Sequence, residues 1–168
     1  MAQQKNEIEK YIEQYGERVS RLCINLCGNH ADADDLYQDT WMKVIKNIDK
    51  YDRSRNFEKW LFKICVNTYK NERMKAFRRK SISFKTTEDQ DIFFEMIPDR
   101  DEAYMEKYRE VVEIIRELPE KYRTALALRY FSDFSENDAA EILGVPAGTL
   151  KSRLNRARKL IKGRLNDE

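Results

Sequence analysis

Glycine and proline are scarce in this chain of 168 residues, five and three respectively, and no run alternates apolar and polar residues long enough to suggest a sheet. The fold class expected is all-α. A single histidine, no glycine-rich phosphate loop and no nucleophile elbow leave the usual catalytic constellations absent, so the chain is not expected to be an enzyme or to take a small-molecule substrate. The adjacent carboxylates Asp34 and Asp35 diverge on a helix and make no acid/base pair. No stretch approaches the roughly 18 uninterrupted apolar residues of a membrane span, and Met1 to Lys10 is polar, without the apolar core of a signal peptide. A cytoplasmic location is expected. The three cysteines, Cys23, Cys27 and Cys65, form no even disulfide framework and fit a reducing compartment. Cys23, Cys27 and His30 fall at i, i+4 and i+7, a spacing that can offer three metal ligands. Cys23 lies on an apolar stripe, however, where thiols pack as small hydrophobes, and His30 follows a glycine turn. Neither metal nor cofactor is expected.

Charge is abundant but nearly balanced, 32 Lys/Arg against 30 Asp/Glu, so its placement carries the information. Residues 51–80 hold ten basic residues against three acidic ones, and 146–168 hold seven against two. Between them, residues 81–120 hold five basic against twelve acidic. Two basic blocks flanking an acidic middle suit a polyanion, because neutralised phosphates release counterions. Solvated helix faces would look the same, and a motif must decide.

Ile8, Tyr11, Ile12, Tyr15, Val19, Leu22, Cys23 and Leu26 repeat at steps of three and four, which predicts one long amphipathic helix ending at Gly28. Asp32, with Asp35 three residues on, reads as the N-cap of a second helix whose buried side is Leu36, Trp41, Val44, Ile45 and Ile48. The polar segment from Tyr51 to Asn56 breaks the pattern. A third helix carries Phe57, Trp60, Leu61, Ile64, Cys65 and Thr68 on one face and runs on into Lys70, Arg73, Lys75, Arg78, Arg79 and Lys80. The chain then turns acidic and aperiodic over 81–104, a flexible linker. Phe93, Phe94, Met96 and Ile97 within it form an apolar cluster suited to docking on a partner. A second unit, 105–168, starts near Met105 with a helix to Leu118, and Pro119 opens the next in its first turn. Two small helical domains, 1–80 and 105–168, thus hang on an acidic tether.

The last quarter carries the sharpest motif. Ser135 caps a short helix through Leu143, Gly144 makes the turn, and Pro146 starts a helix with Leu150, Leu154, Ala157, Ile161 and Leu165 as its inner stripe. This is a helix-turn-helix, whose second helix enters the major groove. Lys151, Ser152, Asn155, Arg156 and Lys159 then point outward, types that pair with base edges, while Thr149 and the amides at the helix start suit a phosphate.

Pro146-Ala147-Gly148-Thr149-Leu150-Lys151-Ser152-Arg153-Leu154-Asn155-Arg156-Ala157-Arg158 resembles the recognition-helix signature of bacterial RNA polymerase sigma factors of the extracytoplasmic-function group. Asp34-Asp35-Leu36-Tyr37-Gln38-Asp39-Thr40-Trp41 is similar to that family's polymerase-binding helix. Trp60-Leu61-Phe62-Lys63-Ile64-Cys65-Val66-Asn67 is similar to its promoter-melting helix, and Leu118-Pro119-Glu120-Lys121-Tyr122-Arg123 resembles the opening of its C-terminal domain. The match covers nearly the whole chain in order. It implies a sigma region-2 type bundle that binds core RNA polymerase and melts the −10 element, and a region-4 type helix-turn-helix that reads the −35 element of promoter DNA.

In those terms Asp35, Gln38, Asp39 and Lys43 would meet the polymerase. Asn67 would line a pocket for a flipped base, with Tyr51 and its loop closing over it and Lys70, Arg73, Arg78 and Arg79 holding the strand. Thr149, Lys151, Ser152, Arg153, Asn155, Arg156 and Lys159 would contact the −35 element. The family also implies an anti-sigma factor as partner, often membrane-anchored. Many members carry an acidic residue four positions after the equivalent of Asn67 and a basic one three further on; here these are Asn71 and Met74, and Arg73 is a candidate for the basic role. Position 155 varies across the family, so the preferred −35 sequence does not transfer. A protein-only adaptor would not need the outward cations of 151–159, and a simple repressor would need a dimer interface to read two half-sites, which the sequence does not offer.

Overall fold

The computed structural model describes residues 1–78 and 102–167. Every regular element among them is helical: α1 (Ala2–Cys27), α2 (His30–Asn47), a 3₁₀ turn (Ile48–Lys50), α3 (Phe57–Arg78), α4 (Glu102–Glu117), α5 (Glu120–Leu126), a π-helical turn (Ala127–Phe131), α6 (Glu136–Leu143) and α7 (Ala147–Asn166). None of these helices is long and apolar enough to cross a membrane. The apolar cluster Phe93, Phe94, Met96 and Ile97 and the cation Arg79 lie outside the described residues.

α1, α2 and α3 pack on one another as a three-helix unit. α1 ends where expected, because Gly28 takes φ 74° and returns its N–H to Ile24 O at 2.8 Å, a left-handed cap that a side chain would strain. The start of α2 differs from expectation. The cap is Asn29, not Asp32: Asn29 Oδ1 accepts from the Asp32 amide at 2.8 Å, and Asn29 Nδ2 donates to the Asp32 carboxylate at 2.8 Å. An asparagine that accepts from the third helical amide and donates back to that residue's side chain satisfies both partners, so the helix nucleates three residues earlier. Two predicted core positions are also turned outward. Ile12 is 36% and Ile45 is 45% exposed, whereas Val19, Leu22, Leu36, Trp41 and Val44 are buried.

In the C-terminal half α4 begins at Glu102, ahead of the expected Met105. Pro119 stands as the N-cap of α5 rather than inside its first turn. The helix-turn-helix has its expected caps. Ser135 Oγ accepts from the Asp138 amide at 3.1 Å, Gly144 takes φ 66°, and Leu150, Leu154 and Ala157 are fully buried.

The two halves do not sit apart. Phe62 of α3 and Phe134, just before α6, meet edge to face with centroids 4.9 Å apart, and both are buried. The Arg18 guanidinium from α1 lies 5.3 Å from the Phe62 ring centroid and 5.2 Å from that of Phe134, donates to Ser132 O at 2.6 Å and pairs with Glu58. Lys59 Nζ reaches Asp138 and Glu141 of α6, each at 2.9 Å; the two carboxylates raise the lysine pKa and the lysine lowers that of Asp138. Arg123 donates to Tyr69 OH at 2.6 Å and to Arg116 O at 3.0 Å, and Arg116 donates to Gly28 O at 3.4 Å. The physical reason is that α3 is apolar on two faces. Leu61, Cys65 and Thr68 face α1 and α2, while Phe62, Val66 and Tyr69 are buried on a second side.

Phe134→Ala should therefore remove about 3–5 kcal/mol of stability, the usual cost of emptying a phenylalanine site, and split one calorimetric transition into two as the halves melt apart. A single transition with an unchanged midpoint would show that the seam contributes nothing.

Candidate nucleic-acid interface

α7 presents the first surface. With Leu150, Leu154 and Ala157 anchored inward, a step of about 100° per residue places Ser152, Asn155, Arg156 and Lys159 on one outward arc, and all four are exposed, as is Lys151 on its border. Thr149 is half-buried at the helix start. Arg153 is half-buried on a flank, away from the outward arc. Arg158 occupies the other flank and is engaged with Tyr130 of the π-helical turn. Tyr130 is a residue that sequence reasoning passed over, since nothing local marks it as reaching α7.

The second surface lies on α3. Asn67 is exposed and shares its helix face with Lys63 and Asn71, both exposed, and with half-buried Trp60. Lys70 is half-buried and Arg73 exposed, and the helix ends at Arg78. Tyr51 is not at the surface. It is buried, its hydroxyl donates to Arg55 O, and its ring packs 5.4 Å from Phe57 and 4.9 Å from Trp60. Its burial pushes the phenol pKa up. Tyr51 thus ties down the 52–56 loop from below and props Trp60. An Arg53–Glu7 ion pair fastens the same loop to α1, and the arginine draws the Glu7 carboxyl below its ordinary range.

On α2, Asp35, Gln38 and Asp39 are exposed. Lys43 is half-buried, and its ammonium donates to Thr68 Oγ1 at 3.1 Å, crossing to α3 rather than standing free. Beside them lies a shallow cleft lined by Asp39, Met42, Lys43, Ile45 and Lys46, with a volume of about 390 Å³. Met42 is 64% exposed, and with Ile45, the one of the two that periodicity assigned to the core, it gives the acidic surface an apolar neighbour.

The cysteines lie apart from all three surfaces as packing groups. Cys23 and Cys65 are buried with sulfurs 3.7 Å apart; their mutual hydrogen bond, followed by burial, drives the Cys23 thiol pKa far up. Burial pushes Cys27 up to about 12. Such thiols are poor nucleophiles and poor metal ligands near neutrality. His30 is exposed, and the described residues hold no cluster of three metal-ligating side chains.

Residues 11–81 match the family model of Sigma-70 region 2, and residues 108–161 match that of Sigma-70 region 4. The chain is 36% identical over 150 residues to the ECF RNA polymerase sigma factor EcfG of Rhodopseudomonas palustris, covering 86% of this chain and 77% of that one. It is 31% identical over 165 residues to the RNA polymerase sigma-H factor of Pseudomonas aeruginosa, covering 94% and 85%. In fold it is similar to the sigma factor RpoE of Bartonella quintana, solved with the anti-sigma factor NepR, at a TM-score of 0.71 and 25% identity over 95% of this chain and 97% of that one. Two domains of these kinds, with relatives of this identity, make the chain a transcription-initiation factor rather than an enzyme: it belongs to the RNA polymerase sigma factors of the extracytoplasmic-function group.

Proposed function

We propose that the outward arc of α7, Lys151, Ser152, Asn155, Arg156 and Lys159, reads the −35 element in the major groove, and that the Asn67 face of α3 takes the melted −10 strand. The observation that carries this reading is the clean division of α7 into a buried stripe of Leu150, Leu154 and Ala157 and an exposed arc of donors. Arginine, lysine and asparagine are the types that address guanine and adenine edges. Thr149 and the first amides of α7 suit a flanking phosphate, and Arg153, on the flank, suits the sugar-phosphate backbone more than a base.

On α3, Asn67 supplies hydrogen bonds for an unstacked base, Trp60 offers a ring to stack against with Tyr51 propping it, and Lys63, Lys70 and Arg73 track the phosphates. Arg78 and Arg79 extend the same basic run in sequence. Asp35, Gln38 and Asp39 serve as the polymerase-facing surface, with Lys43 holding α2 to α3 beneath it. In this division residues 1–80 bind polymerase and open the −10 element, 81–104 link, and 105–168 read the −35 element, the C-terminal half beginning in structure with α4. The setting is the cytoplasm. The similarity to a sigma factor captured with an anti-sigma factor supports control of this chain by a protein of that kind.

Purified chain added to bacterial core polymerase should initiate at a bipartite promoter and bind duplex DNA only weakly alone. Loss of polymerase binding with retained DNA binding would instead favour a free-standing DNA-binding module. Arg156→Ala should relax discrimination at one or two −35 base pairs by about 1–3 kcal/mol if the contact is bidentate; a uniform loss across sequences would make it a phosphate contact. Asn67→Ala should slow open-complex formation, followed with a fluorescent base in the −10 strand, while leaving the affinity for core polymerase unchanged. Equal loss of both would assign Asn67 to structure.

A further inference from the structure

We propose that Tyr130, which lies outside the recognition helix, fixes which base edge Asn155 reads, acting through Arg158. The inference rests on the assignment of α7 as the −35 reader and adds a positioning residue and a base preference to it.

Tyr130 sits in the π-helical turn between α5 and α6 and is 46% exposed. Such a turn widens the helix locally and is often found at functional positions. Its hydroxyl accepts from Arg158 Nε at 2.8 Å and also from Nη2, and the guanidinium carbon is 5.4 Å from the ring centroid. The remaining terminal nitrogen, Arg158 Nη1, donates to Asn155 Oδ1 at 3.0 Å. One guanidinium therefore bridges a side chain on the π turn and a side chain on the outward arc, three residues back along α7, a spacing at which helix neighbours meet.

Arginine has donors only, so the Asn155 atom facing it is the oxygen, and the amide NH₂ is the edge left for the groove. An asparagine reading adenine must offer both edges, its oxygen to adenine N6 and its NH₂ to N7. Arg158 takes one of the two lone pairs of the oxygen and turns it back along α7, so the NH₂ leads, and a leading donor suits the two acceptors of guanine, O6 and N7. Asn155 is accordingly set to favour guanine over adenine at its base pair. Removing the Tyr130 hydroxyl frees Arg158 and, with it, the amide.

The test uses the chain bound to core polymerase and a set of promoters carrying each base at each −35 position, with the chain as wild type, Tyr130→Phe, Asn155→Ala and the double variant. Tyr130→Phe should cut the guanine-over-adenine preference about 5- to 10-fold at a single base pair, within the range of one lost directed contact. Polymerase affinity, melting temperature and the preferences at all other positions should stay unchanged. The double variant should discriminate no less than Asn155→Ala alone, since both act through one amide. Unaltered discrimination in Tyr130→Phe, a uniform loss over all sequences, or additive effects in the double variant would each overturn the proposal. If Arg156→Ala and Asn155→Ala also leave every −35 preference intact, it is the assignment of α7 itself that fails.

Discussion

The contact on which the described structure most depends is the seating of Arg18 between two phenylalanine rings. One guanidinium from α1 lies against Phe62 of α3 and Phe134 of the C-terminal half, donates to the Ser132 carbonyl and pairs with Glu58. Cation–π contacts of this kind contribute about 0.5–2 kcal/mol each, more as water is excluded. The larger effect is geometric. Three chain segments far apart in sequence converge on one side chain, so the N-terminal three-helix unit and the helix-turn-helix share a continuous apolar core. Arg123 repeats the arrangement further along α3 by donating to Tyr69 OH, and burial there lowers the arginine pKa, a cost that the hydrogen bonds to Tyr69 and the Arg116 carbonyl offset.

Within this frame, each helix with an exposed polar arc is aimed by residues that lie outside that arc. α7 owes its orientation to Ser135, which caps α6, to Gly144 in its left-handed turn, and to Leu150, Leu154 and Ala157. α3 owes its loop to Tyr51 and to the Arg53–Glu7 pair. Exposed polar residues contribute little to packing, and the buried positions beneath them carry the orientation.

Much of this was legible in sequence, and the exceptions have physical causes. The inner stripe of α7, the Gly28 and Gly144 turns and the Ser135 cap depend on local periodicity and turn chemistry, which a linear pattern records. The Asn29 cap was misread as Asp32 because both residues can cap and only the reciprocal pairing between them decides. Ile45 was read as core because an apolar residue at helical spacing does not announce which neighbour it lacks. The seam through Phe62, Val66, Tyr69 and Phe134 was invisible because its partners lie more than 50 residues apart, and a helix with two apolar faces looks in sequence like one with a broad face. Tyr130 escaped for the same reason: its partner Arg158 lies on another helix, 28 positions away.

The shared core also sets a length problem. A compact chain of this size is about 40 Å across, whereas elements centred at −10 and −35 lie roughly 25 base pairs, or about 85 Å of duplex, apart. The second length is about twice the first. Parting the two halves would break the Phe62–Phe134 contact and the Lys59 bridges and bring two buried rings into water. Any ligand that needed the halves apart would bind less tightly by the fraction of chains that stay joined, so side chains far from that ligand would bear on its affinity.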